Sequence, residues 1–474
     1  MDHRADTYID GEWVESRGED VIAVLDPSTG QCIATVRESG TDDIDAAVAA
    51  ADRARPVLRA MPVADRAALL HRIADELERR ADLLADTISR EMGMPRKHCA
   101  DYQVHTAVRT FRNSAQALSE VAFTWDVGHS TVRREPVGVV AAISPWNFPL
   151  LQTAAKIGPA LAAGCPVVFK PSEITPLDAL ILAEAVAAAG APPGAFNLVL
   201  GNGFTIGEYL VRHPGTAMVS LTGSTRAGRR VSQVAAATVK RVALELGGKS
   251  ASLVLPDGDL EAAVAGCVRT VMVNSGQTCT ALTRLLVPFH DMAGAERLVA
   301  EAMAGYRVGT ADDPAADVGP LASATQQHRV TEHLERAPVD GARVIWAHPT
   351  ADLPDAGFFV APTAFVVTDP GIKLAQQEVF GPVLAVIPYT DEDHAVAIAN
   401  GTEYGLAGAV WSADEERAVR VADRLEAGSI AVNGAPFNGM APFGGYKQSG
   451  HGRELGAHGI MEFTEVKSIQ RRPV

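Results

Sequence analysis

Apolar positions follow two rhythms along the chain, and the rhythm changes near residue 137. Up to about residue 36, the alternations in TYIDGEWV and VIAVLDPSTGQCIATV predict short strands, with DPSTG as a turn. Thr41-Asp42-Asp43 reads as a helix cap. Over residues 63–92, Leu70, Ile73, Leu77, Leu84 and Ile88 share one helical face, and Gly93 follows as a stop. A further helix is predicted over 96–119. From residue 137, strand-length apolar runs alternate with helical stretches. VGVVAAI, PVVFK (166–170), NLVLG (197–201), AMVSL (217–221) and RVALEL (241–246) predict buried strands, and PLDALILAEAVAAAG predicts a helix ending at Gly190. That order argues for a parallel sheet with right-handed crossovers. A second alternating block runs from about 251 to 440, with strands near 251–255, 282–288, 383–388 and 429–433. Two α/β blocks joined near residue 247 put a cleft between them, and such clefts are common ligand sites.

Composition narrows the class. The chain has 474 residues, 47% of them apolar and 21% charged, as in an ordinary globular protein. Its length suggests roughly three units at about 150 residues each. A net charge of −15 argues against an electrostatic grip on nucleic acid. No apolar run approaches the roughly 18 residues of a membrane span, and MDHRADTYIDGEW lacks the apolar core of a signal peptide. The cysteines, at 32, 99, 165, 267 and 279, are odd in number and none is spaced C-x-x-C. A disulfide framework and a thiolate zinc site are therefore not expected, no metal is assigned, and the expected setting is a reducing cytoplasm.

Six clusters carry chemistry: PWNFP (145–149), KPSE (170–173), LTGSTRAG (221–228) with LELGGKS (244–250), NSGQTCT (274–280), EVFGP (378–382) and PFGGYKQSGHGREL (442–455). Gly223 to Gly228 follow a predicted strand and open a predicted helix, which suits either a phosphate site or a tight structural turn. GGKS is not a P-loop ending, because the required Gly is Ala243. Lys170 and Glu173 follow a strand end, where they read as a ribose-binding pair or a surface ion pair. Cys279 lies in a polar turn rather than among apolar residues, which favours a reactive thiol; the other four cysteines read as packing residues. Asn147 is either an amide donor to an oxyanion or a turn former between prolines. Glu245 in an apolar strand is a general base if buried, although a solvent-facing edge position is the plainer reading. Glu454 reads equally as a helical surface residue beside Arg453, and His451 and His458 as solvated helix residues.

In their order and spacing, these clusters resemble the aldehyde dehydrogenase superfamily of the hydrolytic, non-acylating type, over nearly the whole chain. The resemblance implies an α/β fold: a Rossmann-like cofactor domain (1–120 and 136–247, rejoined by 448–462), an α/β catalytic domain (248–447) and a small β oligomerisation element (121–135 and 463–474). It implies Cys279 as nucleophile, Asn147 with the Cys279 amide as oxyanion donors, Glu245 as the base for the hydrolytic water and Glu454 as a second carboxylate in proton relay. NAD, with NADP as the alternative, would be held by Trp146, Lys156, Lys170, Ser172, Glu173, Gly223, Ser224, Gly228, Leu246, Glu378 and Phe380. Glu173 favours NAD, because a carboxylate near the ribose repels a 2′-phosphate.

By the same resemblance, Phe148, Leu151, Gln152, Ala155, Thr278, Thr280, Phe437 and Phe443 line the substrate pocket. None is charged, and Ala155 replaces a bulkier aromatic, so a medium-sized uncharged aldehyde is expected. The competing readings are a CoA-acylating or carboxylated-semialdehyde dehydrogenase, an inactive binding protein of the same fold and a cysteine hydrolase. FTWDVGHSTVRREP and EFTEVKSIQRRPV fit bridging strands, so a homodimer or homotetramer is expected, with neither membrane nor nucleic acid as partner.

Overall fold

The computed structural model describes residues 6–472. Residues 1–5 of the expected cofactor domain, the opening of the chain start read for a signal peptide, and residues 473–474 of the expected oligomerisation element lie outside them.

The apolar runs of the second rhythm become the centre of an eight-stranded sheet. Strands Val140–Ile143, Val167–Lys170, Phe196–Leu198, Met218–Thr222 and Arg241–Glu245 are parallel, and nearly all their residues are buried on both faces. The first strand in sequence, Val140–Ile143, lies mid-sheet, with its successors on one side and Met218–Thr222 on the other. The strand order reverses there, which opens a crevice at the carboxyl ends. Antiparallel strands close the edges: Asp6–Ile9 and Glu12–Glu15 on one side, Gly450–His451 on the other.

A second sheet of seven strands is centred on Ala251–Val254, Arg284–Pro288 and Val383–Tyr389. Three of its strands, Arg343–Ala347, Thr363–Val366 and Ala407–Trp411, are additional to those expected from the apolar runs. A third sheet joins Thr124–Val127, Ser130–Pro136 and Thr464–Gln470, the last an exposed edge strand. The hairpin Val21–Leu25 and Cys32–Arg37 spans both units. Its Val24 and Val36 are buried against the first core, while its turn accepts from Phe358 N at Pro27 O (2.9 Å) and from Ala311 N at Ser28 Oγ (3.0 Å).

Local expectations change at four places. The helix expected over 63–92 is two, Val63–Arg79 and Ala81–Met92. Arg80 leaves helical geometry, which keeps Leu84 and Ile88 in the core that holds Leu70, Ile73 and Leu77. The first long helix, Thr41–Ala60, is capped at Gly40 rather than by Thr41, with the Asp43 carboxylate accepting from Gly40 N and Arg17 N at 2.8 Å each. The stretch expected as one helix over 96–119 contains a π-helical turn, Ala100–His105, before the α-helix Thr106–Ala117. Cys99, Cys165 and Cys267 are packing residues, but Cys32 is exposed, because it sits on the outer face of its hairpin.

Candidate active site

Sheet register sets one wall of the site. Ile143 pairs with Lys170, and Thr222 with Glu245, so the loops after these strands share one rim. After Ile143 the chain forms Ser144-Pro145-Trp146-Asn147-Phe148 and enters the helix Pro149–Ala163, Pro149 occupying the first turn where no amide partner is needed. Asn147 is buried. Its amide nitrogen donates to Gln277 O at 3.0 Å, and its own carbonyl accepts from Asn274 Nδ2 (2.8 Å) and Gln103 Nε2 (3.2 Å).

The opposite wall is the turn after the helix Leu260–Met272. Asn274, Ser275 and Gly276 are all left-handed, at φ 53°, 55° and 74°. Such a run is costly for Asn and Ser and persists only where its surroundings hold it. Ser275 Oγ donates to Gly319 O (2.8 Å), Gln277 Nε2 to Asn274 O (3.0 Å), and Gln277 Oε1 accepts from Ala322 N (2.9 Å). A Cβ on Gly276 would collide with Gly381 O, so this turn rests on the EVFGP loop. Cys279 follows, partly exposed. Gly247 and Gly248 explain the GG of LELGGKS: a Cβ on Gly247 would strike the Glu378 carboxylate, and one on Gly248 the Cys279 carbonyl. Gly248 N donates to Glu378 Oε1 at 3.0 Å.

Burial pushes the Cys279 thiol up to about 12, with the carboxyls of Glu378 and Glu245 adding to it. The solvent-facing reading of Glu245 is overturned. The residue is 5% exposed, Oε2 has no partner, and burial followed by the Glu454 charge raises its carboxyl well above the usual range. The neighbouring strand Gly450–His451 covers what would otherwise be an open edge. Glu454 is likewise no surface residue. It is 5% exposed and accepts from Lys156 Nζ at 2.6 Å. Lys156, expected near the cofactor, is thus committed to a buried ion pair beside Glu245. His451 lies in an exposed two-residue strand rather than on a helix.

The remaining expected residues group as follows. Trp146 and Phe380 meet edge to face at 5.4 Å, and Phe380 is itself left-handed (φ 61°), held by Gln326 Nε2 on its carbonyl at 2.7 Å. Ser224 caps the helix Thr225–Ala235 through Ala227 N (3.2 Å). Gly228 allows Leu246 to close on that helix; a Cβ there would lie 2.6 Å from Leu246 Cδ1. Lys170 is buried, donates to Gly201 O (2.8 Å) and stands 3.6 Å from the half-exposed Glu173, so the pair is no simple surface bridge. Ser172 Oγ accepts from Ile174 N at 3.2 Å. Of the substrate set, Phe148 and Ala155 are buried, while Leu151, Gln152, Thr278, Thr280 and Phe443 are half-buried. Thr278 Oγ1 has no partner. Phe437 is 64% exposed and meets Phe443 edge to face at 5.8 Å.

Gln103, Asn274, Gln277 and Ser449 belong to the same framework but were not singled out by sequence. Ser449 Oγ ties Gly247 O (2.7 Å) to Gly405 N (2.9 Å), and it lies inside the glycine-rich PFGGYKQSG cluster, which was the available signal.

A thiol, two buried carboxyls and an anchored amide beside a doubly wound sheet have the architecture of a nucleotide-linked oxidoreductase. The sequence model of the Aldehyde dehydrogenase family matches residues 13–469, and the chain belongs to that family. It is 43% identical over 464 residues to a 3-succinoylsemialdehyde-pyridine dehydrogenase of a Pseudomonas species, covering 98% of this chain and 97% of that one. It is 42% identical over 479 residues to a geranial dehydrogenase of Castellaniella defragrans, covering 99% of each. Its fold matches an aldehyde dehydrogenase C mutant of Pseudomonas syringae complexed with NAD+ and octanal, with a TM-score of 0.97, 42% identity, and 99% and 97% coverage. A Mycobacterium tuberculosis aldehyde dehydrogenase complexed with NAD+ matches at a TM-score of 0.95 and 38% identity, with 99% and 98% coverage.

Proposed function

We propose that this chain oxidises a medium-sized uncharged aldehyde to its carboxylic acid, with NAD as oxidant and Cys279 as covalent nucleophile. The observation that carries the reading is the Cys279 thiol within electrostatic reach of two carboxyls, the buried Glu245 and the half-buried Glu378, with Asn147 anchored to the main chain two residues before it.

The Cys279 thiol gives its proton to Glu245 as the sulfur bonds to the aldehyde carbon. The second N–H of Asn147, which the Gln277 carbonyl does not use, and the Cys279 amide donate to the resulting oxyanion. When bound, NAD supplies the acceptor for the hydride lost from that carbon. Collapse of the oxyanion leaves a thioester on Cys279. Glu245 passes the thiol proton on to solvent and then takes the proton of an attacking water; the C–S bond breaks, that proton returns to the sulfur, and the acid leaves. Glu454 and Lys156 hold the charge environment in which Glu245 cycles its proton.

The residues present fit the dinucleotide. Free amides at the helix start Ser224–Thr225 suit a pyrophosphate, and Lys170 and Glu173 suit ribose hydroxyls. Trp146, Glu378 and Phe380 border the path from that crevice to Cys279. NAD over NADP is supported by Glu173 and by the NAD+ bound in two structural neighbours. An uncharged substrate is supported by the pocket residues and by relatives associated with geranial and octanal. The buried Glu245 disfavours CoA as acyl acceptor, because it equips the site to activate water.

The proposed division assigns 1–120, 136–247 and 448–462 to cofactor binding, 248–447 to catalysis, and 121–135 with 463–474 to assembly as a homodimer or homotetramer. The exposed edge strand Thr464–Gln470 supports the last. A cytoplasmic location is the proposed setting. Among the described residues, no helix is long and apolar enough to cross a membrane.

The decisive test is purified Cys279→Ala with an aldehyde panel and NAD. No NADH should form; near-wild-type turnover would overturn the reading.

A further inference from the structure

The π-helical turn Ala100–His105 is the one break in an otherwise regular helical stretch, and it coincides with the approach to Asn147. One extra residue in a helical turn rotates everything after it by about 100°. Gln103 sits inside that turn, wholly buried, and its Nε2 donates to Asn147 O at 3.2 Å. Its Oε1 has no partner. A buried acceptor left unpaired is destabilising, so an apolar side chain would serve packing better at this position. Gln is therefore placed there for its donor.

The same carbonyl accepts from Asn274 Nδ2 at 2.8 Å, and Asn274 Nδ2 also reaches Gln277 O at 3.3 Å. Gln277 O is the acceptor that orients the Asn147 side chain. The Asn147 peptide is thus gripped from two directions: by Gln103 from the cofactor-side helices, and by Asn274 from the strained turn that carries Cys279. Asn274 sets the height of the nucleophile turn against Asn147; Gln103 stops the Asn147 peptide from rotating about that single anchor.

We propose that Gln103 is a positioning residue for the oxyanion donor: by fixing the Asn147 main chain, it aims the free Asn147 amide N–H at the carbonyl oxygen of the Cys279 adduct. This rests on the proposed role of Asn147 and names the partner that makes the role effective. The contribution belongs to the transition state, where a misaimed donor costs rate rather than affinity.

The test is a double-substitution cycle read in kcat and aldehyde KM. Gln103→Met keeps the volume and removes both polar atoms; Gln103→Leu is the second variant if Gln103→Met does not yield folded protein. Folding is checked by melting temperature and NAD binding by fluorescence titration. Alone, Gln103→Met should lower kcat about tenfold with KM within about threefold, a smaller loss than the ~10²–10³ for removing an oxyanion donor outright. In an Asn147→Ala background the same change should have no further effect on kcat, because there is no amide left to aim. Full additivity in that background, or an unchanged kcat in the single variant, would overturn the inference. If Asn147→Ala itself keeps wild-type kcat, the proposed function fails instead, so the two failures are distinguishable.

Discussion

Lys156 and Glu454 form a buried ion pair, Nζ to Oε1 at 2.6 Å, and both charges act on Glu245 in opposite senses. Glu454 raises the Glu245 carboxyl and Lys156 lowers it, on top of the larger effect of burial. Glu454→Gln should therefore move the acid limb of the kcat profile to lower pH, because Glu245 ionises more easily. Lys156→Met should move it to higher pH and also destabilise the fold by about 3–5 kcal/mol, because it strands a buried carboxylate. A pH–rate profile for each variant, with urea unfolding for the second, measures both. Shifts in the same direction would contradict the arrangement.

The thiol that burial and two carboxyls push up to about 12 is protonated at neutral pH in the free protein. Alkylation of Cys279 by iodoacetamide should be slow at pH 7 and rise steadily through pH 9. Cys279→Ser should leave no labelling at this position by peptide mass mapping. A labelling rate already at plateau at pH 7 would show a preformed thiolate.

In the proposed reading Glu173 carries the discrimination against a 2′-phosphate. Glu173→Gln should lower the NAD-to-NADP ratio of kcat/KM by about tenfold or more, chiefly through the KM for NADP, as expected from removing one like-charge repulsion. An unchanged ratio would place the discrimination elsewhere.

An uncharged pocket predicts a ranking by kcat/KM in which octanal and similar medium-sized aldehydes exceed succinic semialdehyde. Best activity on succinic semialdehyde would reverse the substrate assignment.

Glu91 and Asp178 form a second buried carboxyl pair, remote from Cys279 in sequence and set at the start of the helix Leu177–Ala188. Glu91 accepts from Leu177 N (2.8 Å) and Asp178 N (3.0 Å). Burial raises both carboxyls above the usual range. For an acid with a raised folded pKa, the folded state holds the extra proton, so stability is greatest at low pH and falls as pH rises through the folded value. Asp178→Asn should raise the melting temperature at pH 8 and bring little gain near pH 4, measured by thermal scans across that range.

The five parallel strands of the first sheet were readable because burial on both faces demands near-continuous apolar runs, as in VGVVAAI and PVVFK. Arg343–Ala347 escaped notice because it is an outer strand, largely exposed or half-buried, whose composition follows solvent rather than core. Cys279 stood out by its polar turn and Asn147 by the prolines around it, both local signals. The burial of Glu245 is not local: it depends on Gly450–His451, supplied by a chain segment some two hundred residues later, so the strand read alone suggested solvent. Gln103 was hidden because a π turn breaks the 3.6-residue period used to assign faces.

The Lys156–Glu454 pair spans 298 residues of sequence. At about 5–20 residues per second of synthesis, roughly 15–60 s separate the making of its two halves. In the later part of that interval, once residue 279 has been added, the growing chain carries Cys279 but not the edge strand or the carboxylate that complete its surroundings. On the proposed mechanism a half-made copy lacks the groups turnover needs, and the late segment is the final part of assembly, completing the surroundings of Cys279 only once the fold around it is whole.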